Sequence, residues 1–150
     1  MIRGISFTLD ETDNHILYDI LKPIDITKYF WHIVPSQEEV WDACLKHNFF
    51  DKSNYIGEEF KVIINKKHRI IFLKLQAYTK YRDIDNINTF KDFVNDSCDI
   101  LILIYDCVFC EIYCAKEEIS RKFYKCISKK YRDVAFITEA NDCRTDFNIL

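Results

Sequence analysis

The chain has 150 residues, 49% of them apolar, the usual size of one domain with one core. A formal charge of -3 with both signs interspersed argues against a nucleic-acid partner held through phosphate contacts. Two glycines and two prolines leave no linker and no low-complexity tract.

The opening MIRGISFTLDETD lacks the basic region, apolar region and cleavage site of a secretory signal. No apolar stretch reaches the roughly 18 residues of a membrane span. A cytoplasmic protein away from the membrane is therefore expected, with its seven cysteines as thiols.

In chain order, Ile5, Phe7 and Leu9 alternate with Gly4, Ser6 and Thr8 as a strand does. Leu17, Ile20 and Leu21 fall at helical spacing, and Pro23 ends that helix. Tyr29 to Val34 reads as an aromatic strand closed by Pro35. Ser36-Gln37-Glu38-Glu39 has the form of a capping box, and Val40/Cys44 with Trp41/Leu45 recur at i,i+4, so a helix is expected over about 37–47. Gly57 to Ile64 reads as a short helix with acidic residues in its first turn. Arg69 to Ala77 is a strand, 78–88 a loop, and Thr89 to Val94 a capped short helix.

The run DILILIYDCVFCEIYCAKEE, Asp99 to Glu118, raises the question of a metal or redox site. Cys107, Cys110 and Cys114 have a C-x2-C-x3-C spacing that partly matches iron–sulfur and zinc patterns, but no fourth ligand follows at a familiar distance. Ile100, Ile102 and Ile104 against Leu101, Leu103 and Tyr105 instead describe a strand apolar on both faces, at the centre of a sheet. Cys110 and Cys114 alternate in phase with Ile112, as small buried hydrophobes do. No metal or other cofactor is expected. Glu117 onward is the strongest helix, with Ile119, Phe123, Cys126 and Ile127 on one face. Val134, Phe136 and Thr138 form one strand and Thr145, Phe147 and Ile149 a last one, joined by a polar turn.

Arg3-Gly4-Ile5-Ser6-Phe7, Ile20 to Asp25, Tyr29 with Trp31, Leu75 to Tyr78, Glu111 to Cys114, Ile137-Thr138-Glu139 and Asn141 to Thr145 together resemble a family of small bacterial proteins grouped as a domain of unknown function. The resemblance covers most of the chain, with Cys143 in place of a glycine and Leu150 in place of an aromatic residue. It implies a compact bacterial domain and brings no reaction, cofactor or catalytic residue with it.

Four candidate sites follow from the residues. The turn Glu139, Asn141, Asp142, Arg144 and Asp146 could bind a cation through its carboxylates or an anion through the arginine fork, against the ordinary reading of a hairpin turn with Arg144 paired to Asp142 or Asp146. Asp106 and Glu111 would face each other across a tight bend, with a raised pKa suited to acid catalysis, or else stand solvated. Cysteine–histidine chemistry would need Cys107 or Cys143 beside His32, and nothing local brings them together. Tyr29 to His32, with Trp31, offers an aromatic patch if one face is uncovered and a core strand if both are covered.

The expected architecture is a single α+β domain: a mixed or mainly antiparallel sheet of about seven strands with four or five short helices. The expected function is a binding module for a protein partner, with an immunity-type or antitoxin-type inhibitor as one concrete form. The rival is a small enzyme or ligand-binding domain centred on the 139–146 turn.

Overall fold

In a computed structural model describing residues 1–44, 47–81 and 84–150, all seven strands join one sheet in the order β3-β2-β4-β5-β6-β1-β7. The strands are β1 Ile2–Thr8, β2 Phe30–Asp42, β3 Asn54–Tyr55, β4 His68–Tyr78, β5 Ile100–Tyr105, β6 Phe109–Cys114 and β7 Arg132–Thr138. Every pairing is antiparallel. The helices are α1 Ile16–Ile20, α2 Gly57–Ile64, α3 Phe90–Asn95 and α4 Glu117–Ile127, with a short 3-10 turn at Ile26–Lys28. The expected α+β class holds, with four helices.

Side-chain alternation divides the core between the two faces of the sheet. One face carries Ile5, Phe7, Trp31, Leu73, Leu75, Ile102, Cys110 and Ile112 against α1, α2 and α4. The opposite face carries Tyr78, Leu101, Leu103, Tyr113 and Ile137, covered by Ile87 and Phe93 of the 84–95 segment and by Phe147 from the closing residues. β5 is apolar on both faces because it is covered on both. Cys110 and Cys114 are buried beside Ile112 as the alternation requires, and Cys107 lies in the turn before β6.

The expected helix over 37–47 is a strand as far as Asp42, and Pro35 does not close β2. Residues 45 and 46, near the end of that expected helix, lie outside the described residues, as do 82 and 83 in the expected loop 78–88. Ser36 has φ 68, which no helix N-cap adopts, and Glu39 accepts from Trp41 Nε1 (3.3 Å) instead of closing a capping box. The open edge of β4 offers residues 38–42 a full ladder, and Val40 then points into the core. Tertiary pairing outweighs a local cap signal. Pairing jumps from Ile33↔Leu75 to Glu38↔Leu73, so residues 34–37 bulge out of the ladder. A second irregularity, Glu39↔Phe72 against Val40↔Ile70, gives β4 one extra residue at Ile71.

The expected last strand, Thr145 to Ile149, joins no ladder; residues 139–150 cross the sheet as an irregular strap. The seventh strand is instead the two-residue β3, whose Asn54 and Tyr55 pair with His32 and Trp31.

Candidate functional site

The strap brings together residues far apart in sequence. Arg144 pairs with neither Asp142 nor Asp146 but with Glu111 on β6: Nε and Nη2 both lie 2.7 Å from Glu111 Oε2. Its Nη1 donates to the Asp146 carbonyl (3.2 Å), and its guanidinium lies 5.1 Å from the centre of the Tyr105 ring. Burial pulls the Arg144 pKa down, but Glu111 more than offsets this and raises it. Burial first, then the negative charge of Glu111, pushes the Tyr105 hydroxyl pKa up.

Two residues upstream, Asp142 is the anchor of the turn, its side chain only 4% exposed. It accepts from Arg3 Nη1 (3.1 Å), the Tyr113 hydroxyl (3.2 Å) and the Arg144 N–H (3.2 Å). Arg3 lies over the Phe90 ring at 3.9 Å and reaches Glu139 at 3.9 Å. Asn141 serves the backbone of β7 instead. Its amide donates to the Phe136 carbonyl (2.9 Å) and accepts from Thr138 N–H (2.7 Å), so it stands beside that strand as a neighbouring peptide group would. The Asp146 carboxylate caps its own turn by accepting from Asn148 N–H (2.9 Å).

The expected meeting of Asp106 and Glu111 does not occur. Tyr105 pairs with Phe109 and Leu103 with Glu111, which leaves Asp106 exposed in the hairpin turn at φ 53 and Glu111 further down the ladder. Trp31 is no surface residue either: it is 1% exposed, donates to the Ile26 carbonyl (3.0 Å) and stacks on Phe60 at 4.6 Å. Its neighbours Phe30 and His32, on the other side of β2, are half-buried, and Phe30 meets the exposed Tyr81 edge to face. Among the described residues, no three His, Cys, Asp or Glu side chains converge as a metal site requires.

Around the Glu111–Arg144 pair, Ser6, Tyr105, Asp142 and Asn148 line an open hollow of about 560 Å³. Beyond Tyr105, the described side chains of the sheet on this face are half-buried or exposed. Tyr105 contacts Phe109, which is 44% exposed (rings 5.4 Å apart). Further along, Trp41 lies on the same face, opposite the core-facing Val40. The extra residue in β4 adds Ile71 there, lining a shallow hollow with Glu39, Trp41 and Arg69. Phe72, opposite Glu39, is half-buried beside them. Sequence reasoning did not single out Trp41, Ile71, Phe72 or Phe109 as surface candidates. The alternation Glu39-Val40-Trp41 carried the signal, hidden by the helical spacing of the same residues.

The arrangement defines a class: a small antiparallel α+β protein with one half of a sheet face sealed by a strap and the other half aromatic and open. A family model described as "Protein of unknown function (DUF2691)" matches residues 2–148, and the chain belongs to that family. It is 28% identical over 155 residues to the "Uncharacterized protein YncE" of Bacillus subtilis (strain 168), across 99% of this chain and 100% of that protein. No solved structure matches it.

Proposed function

We propose that this chain is a cytoplasmic, non-enzymatic binding module that holds another protein against the open half of its sheet, as an immunity-type or antitoxin-type inhibitor does. The observation behind this reading is the row Trp41, Ile71, Phe72, Tyr105 and Phe109, with Phe109 exposed and the other four half-buried, on a face whose other half is sealed. Such a row is the expected centre of an interface, where aromatic anchors carry most of the binding energy. Glu39, Asp106 and Asp146 stand beside members of the row, against Arg69 and an Arg144 already neutralised by Glu111, and the chain as a whole carries -3. Charge complementarity therefore selects a partner that presents basic side chains around an apolar centre. No described helix is long and apolar enough to cross a membrane, in keeping with this reading.

The test is affinity capture from the native cell, comparing the natural chain with a Trp41→Ala/Phe109→Ala variant and a Val62→Ala control on α2. A basic partner retained by the natural chain and the control, lost with the double variant and weakened by salt, is the expected result. Recovery of the natural chain alone, or equal retention by all three, would reject the proposal.

A second reading, a small enzyme or ligand-binding domain at the 139–146 turn, is favoured by the hollow beside Arg144. It is weakened by the pairing of Glu111 and Arg144 with each other, which occupies both charges.

A further inference from the structure

The strap is held in the way a bound peptide is held. Among the described residues, from Cys143 onward its main chain makes one backbone–backbone hydrogen bond to the rest of the protein, Phe147 N–H to the Asn88 carbonyl (2.8 Å). The other attachments are side-chain anchors. Asp142 takes Arg3 and the Tyr113 hydroxyl, and Arg144 takes Glu111. Phe147, 1% exposed, packs 4.8 Å from the Tyr113 ring, within the cluster that includes Phe93, Leu101 and Leu103. At the far side Gln37, held by the bulge in β2, accepts from Ile149 N–H (3.0 Å) and donates to Asn148 Oδ1 (3.0 Å).

All these anchors lie downstream of a short exposed turn, Glu139 to Asn141. That turn is closed by Asn141 and Asp142 N–H groups on the Thr138 carbonyl and by the Asn141 amide on β7. Straightening it would carry the strap away from its own groove without breaking the sheet. It would also free the Phe136 carbonyl and the Thr138 N–H at β7. An identical groove on a second molecule offers the same acidic anchor and aromatic pocket, so the groove contacts of residues 142–150 are regained and only the bonds of the turn itself are given up.

We propose that residues 142–150 exchange between two copies of this chain, each seating its Arg144 on the other's Glu111 and its Phe147 in the other's aromatic pocket. This proposal does not depend on the open face or on its partner.

Charge reversal tests it. Glu111→Arg and Arg144→Glu each place like charges in the closed monomer. In an exchanged heterodimer of the two variants every groove meets an opposite charge. The variants are unfolded in urea, mixed in equal amounts, refolded together and weighed by native mass spectrometry, so a variant unable to fold alone still enters the experiment. The expected outcome is a 1:1 heterodimer as the main species, with neither variant forming a dimer by itself. The Glu111→Arg/Arg144→Glu double variant, whose strap suits its own groove and a partner's alike, should divide between monomer and dimer as the natural chain does at the same concentration. A mixture that yields monomers, or aggregate without a 1:1 species, overturns the proposal. A Trp41→Ala/Phe109→Ala background should leave the exchange unchanged, which separates it from the docking face.

Discussion

At the residue scale, backbone clearance fixes both glycines, Gly57 against the Thr27 backbone and Gly4 more tightly still. A Cβ on Gly4 would sit 2.0 Å from the Ile112 carbonyl oxygen, where β1 pairs with β6 beside Tyr113. Gly4→Ala should destabilise the fold by about 3 kcal/mol, read as a drop in the urea midpoint, because neither central strand can shift without disturbing the core. A second residue fixes a proton. His68, 1% exposed, donates from Nδ1 to the Lys66 carbonyl (2.8 Å) and accepts the Leu17 N–H on Nε2 (3.2 Å), so the neutral ring ties β4 to the start of α1. Burial lowers its pKa, while the Lys66 carbonyl, Asp13 and Asp19 pull the other way and His15 adds to the lowering. The folded chain then binds fewer protons than the unfolded one. His68's contribution is complete above the unfolded value of about 6.5 and is lost as the pH falls through the lower folded value. Urea titrations at pH 7 and pH 5 should show His68→Phe costing about 1–2 kcal/mol at pH 7 and distinctly less at pH 5. An equal cost at both would reject the assignment.

At the element scale, the β5–β6 hairpin turns on residues that do not suit it. Asp106 and Cys107 have φ 53 and 66, the left-handed pair of a type I′ turn, where Asn-Gly is the favoured sequence. Cys107→Gly removes the Cβ conflict at a small entropic penalty, and a gain of about 0.5–1 kcal/mol in unfolding free energy is expected. β4 presents a different conflict. Lys74 is fully buried on the strap side, and its ammonium donates to the Ile87 carbonyl at 2.5 Å. Next to it, Gln76 holds the same segment through the Asp85 carbonyl and the Ile87 N–H. Burial pushes the Lys74 pKa down to about 8, against the pull of Asp146 and Asp92. Between pH 8 and the ordinary value near 10.4, the unfolded chain keeps a proton that the folded chain has released, so this lysine makes stability rise with pH across that window. Lys74→Met should be at least as stable as the natural chain at pH 7 and should lose that rise. Parallel stability curves for the two chains from pH 8 to 9.5 would contradict it.

At the scale of the whole molecule, the two halves of one sheet face have separate fates. The strap, with Arg144 on Glu111 and Phe147 under α3, seals one half; the other keeps Trp41, Ile71, Phe72, Tyr105 and Phe109 in contact with water. Binding through that open half should be steered by the acidic rim. Association of the captured partner should therefore slow several-fold between about 50 and 500 mM salt, while Trp41→Ala should act mainly on the dissociation rate. Surface plasmon resonance separates the two effects, and an on-rate indifferent to salt would remove the argument for a basic partner.

Much of the fold was legible in the sequence because it rests on periodicity. Alternation through Ile5-Phe7, Leu73-Leu75, Ile100-Ile104 and Cys110-Cys114 places each residue on its face, and the Glu117 to Ile127 stripe marks α4; the buried cysteines follow from the same pattern. What local pattern could not decide was any contest between a short-range signal and a long-range partner. Ser36 to Glu39 read as a cap until β4 offered a ladder, and Thr145 to Ile149 alternated like a strand but cross the face of the sheet, drawn there by Arg144 on Glu111 and by Phe147, and leave the outer edge of β7 unladdered. The polar turn at 139–146 was visible as a group, but its partners Glu111, Arg3 and Tyr113 lie 29 to 139 residues away in the chain, and only the folded sheet brings those charges together. Side-chain periodicity is a property of neighbouring residues, whereas the choice of a charge partner or a ladder belongs to surfaces that exist only once the chain has closed on itself.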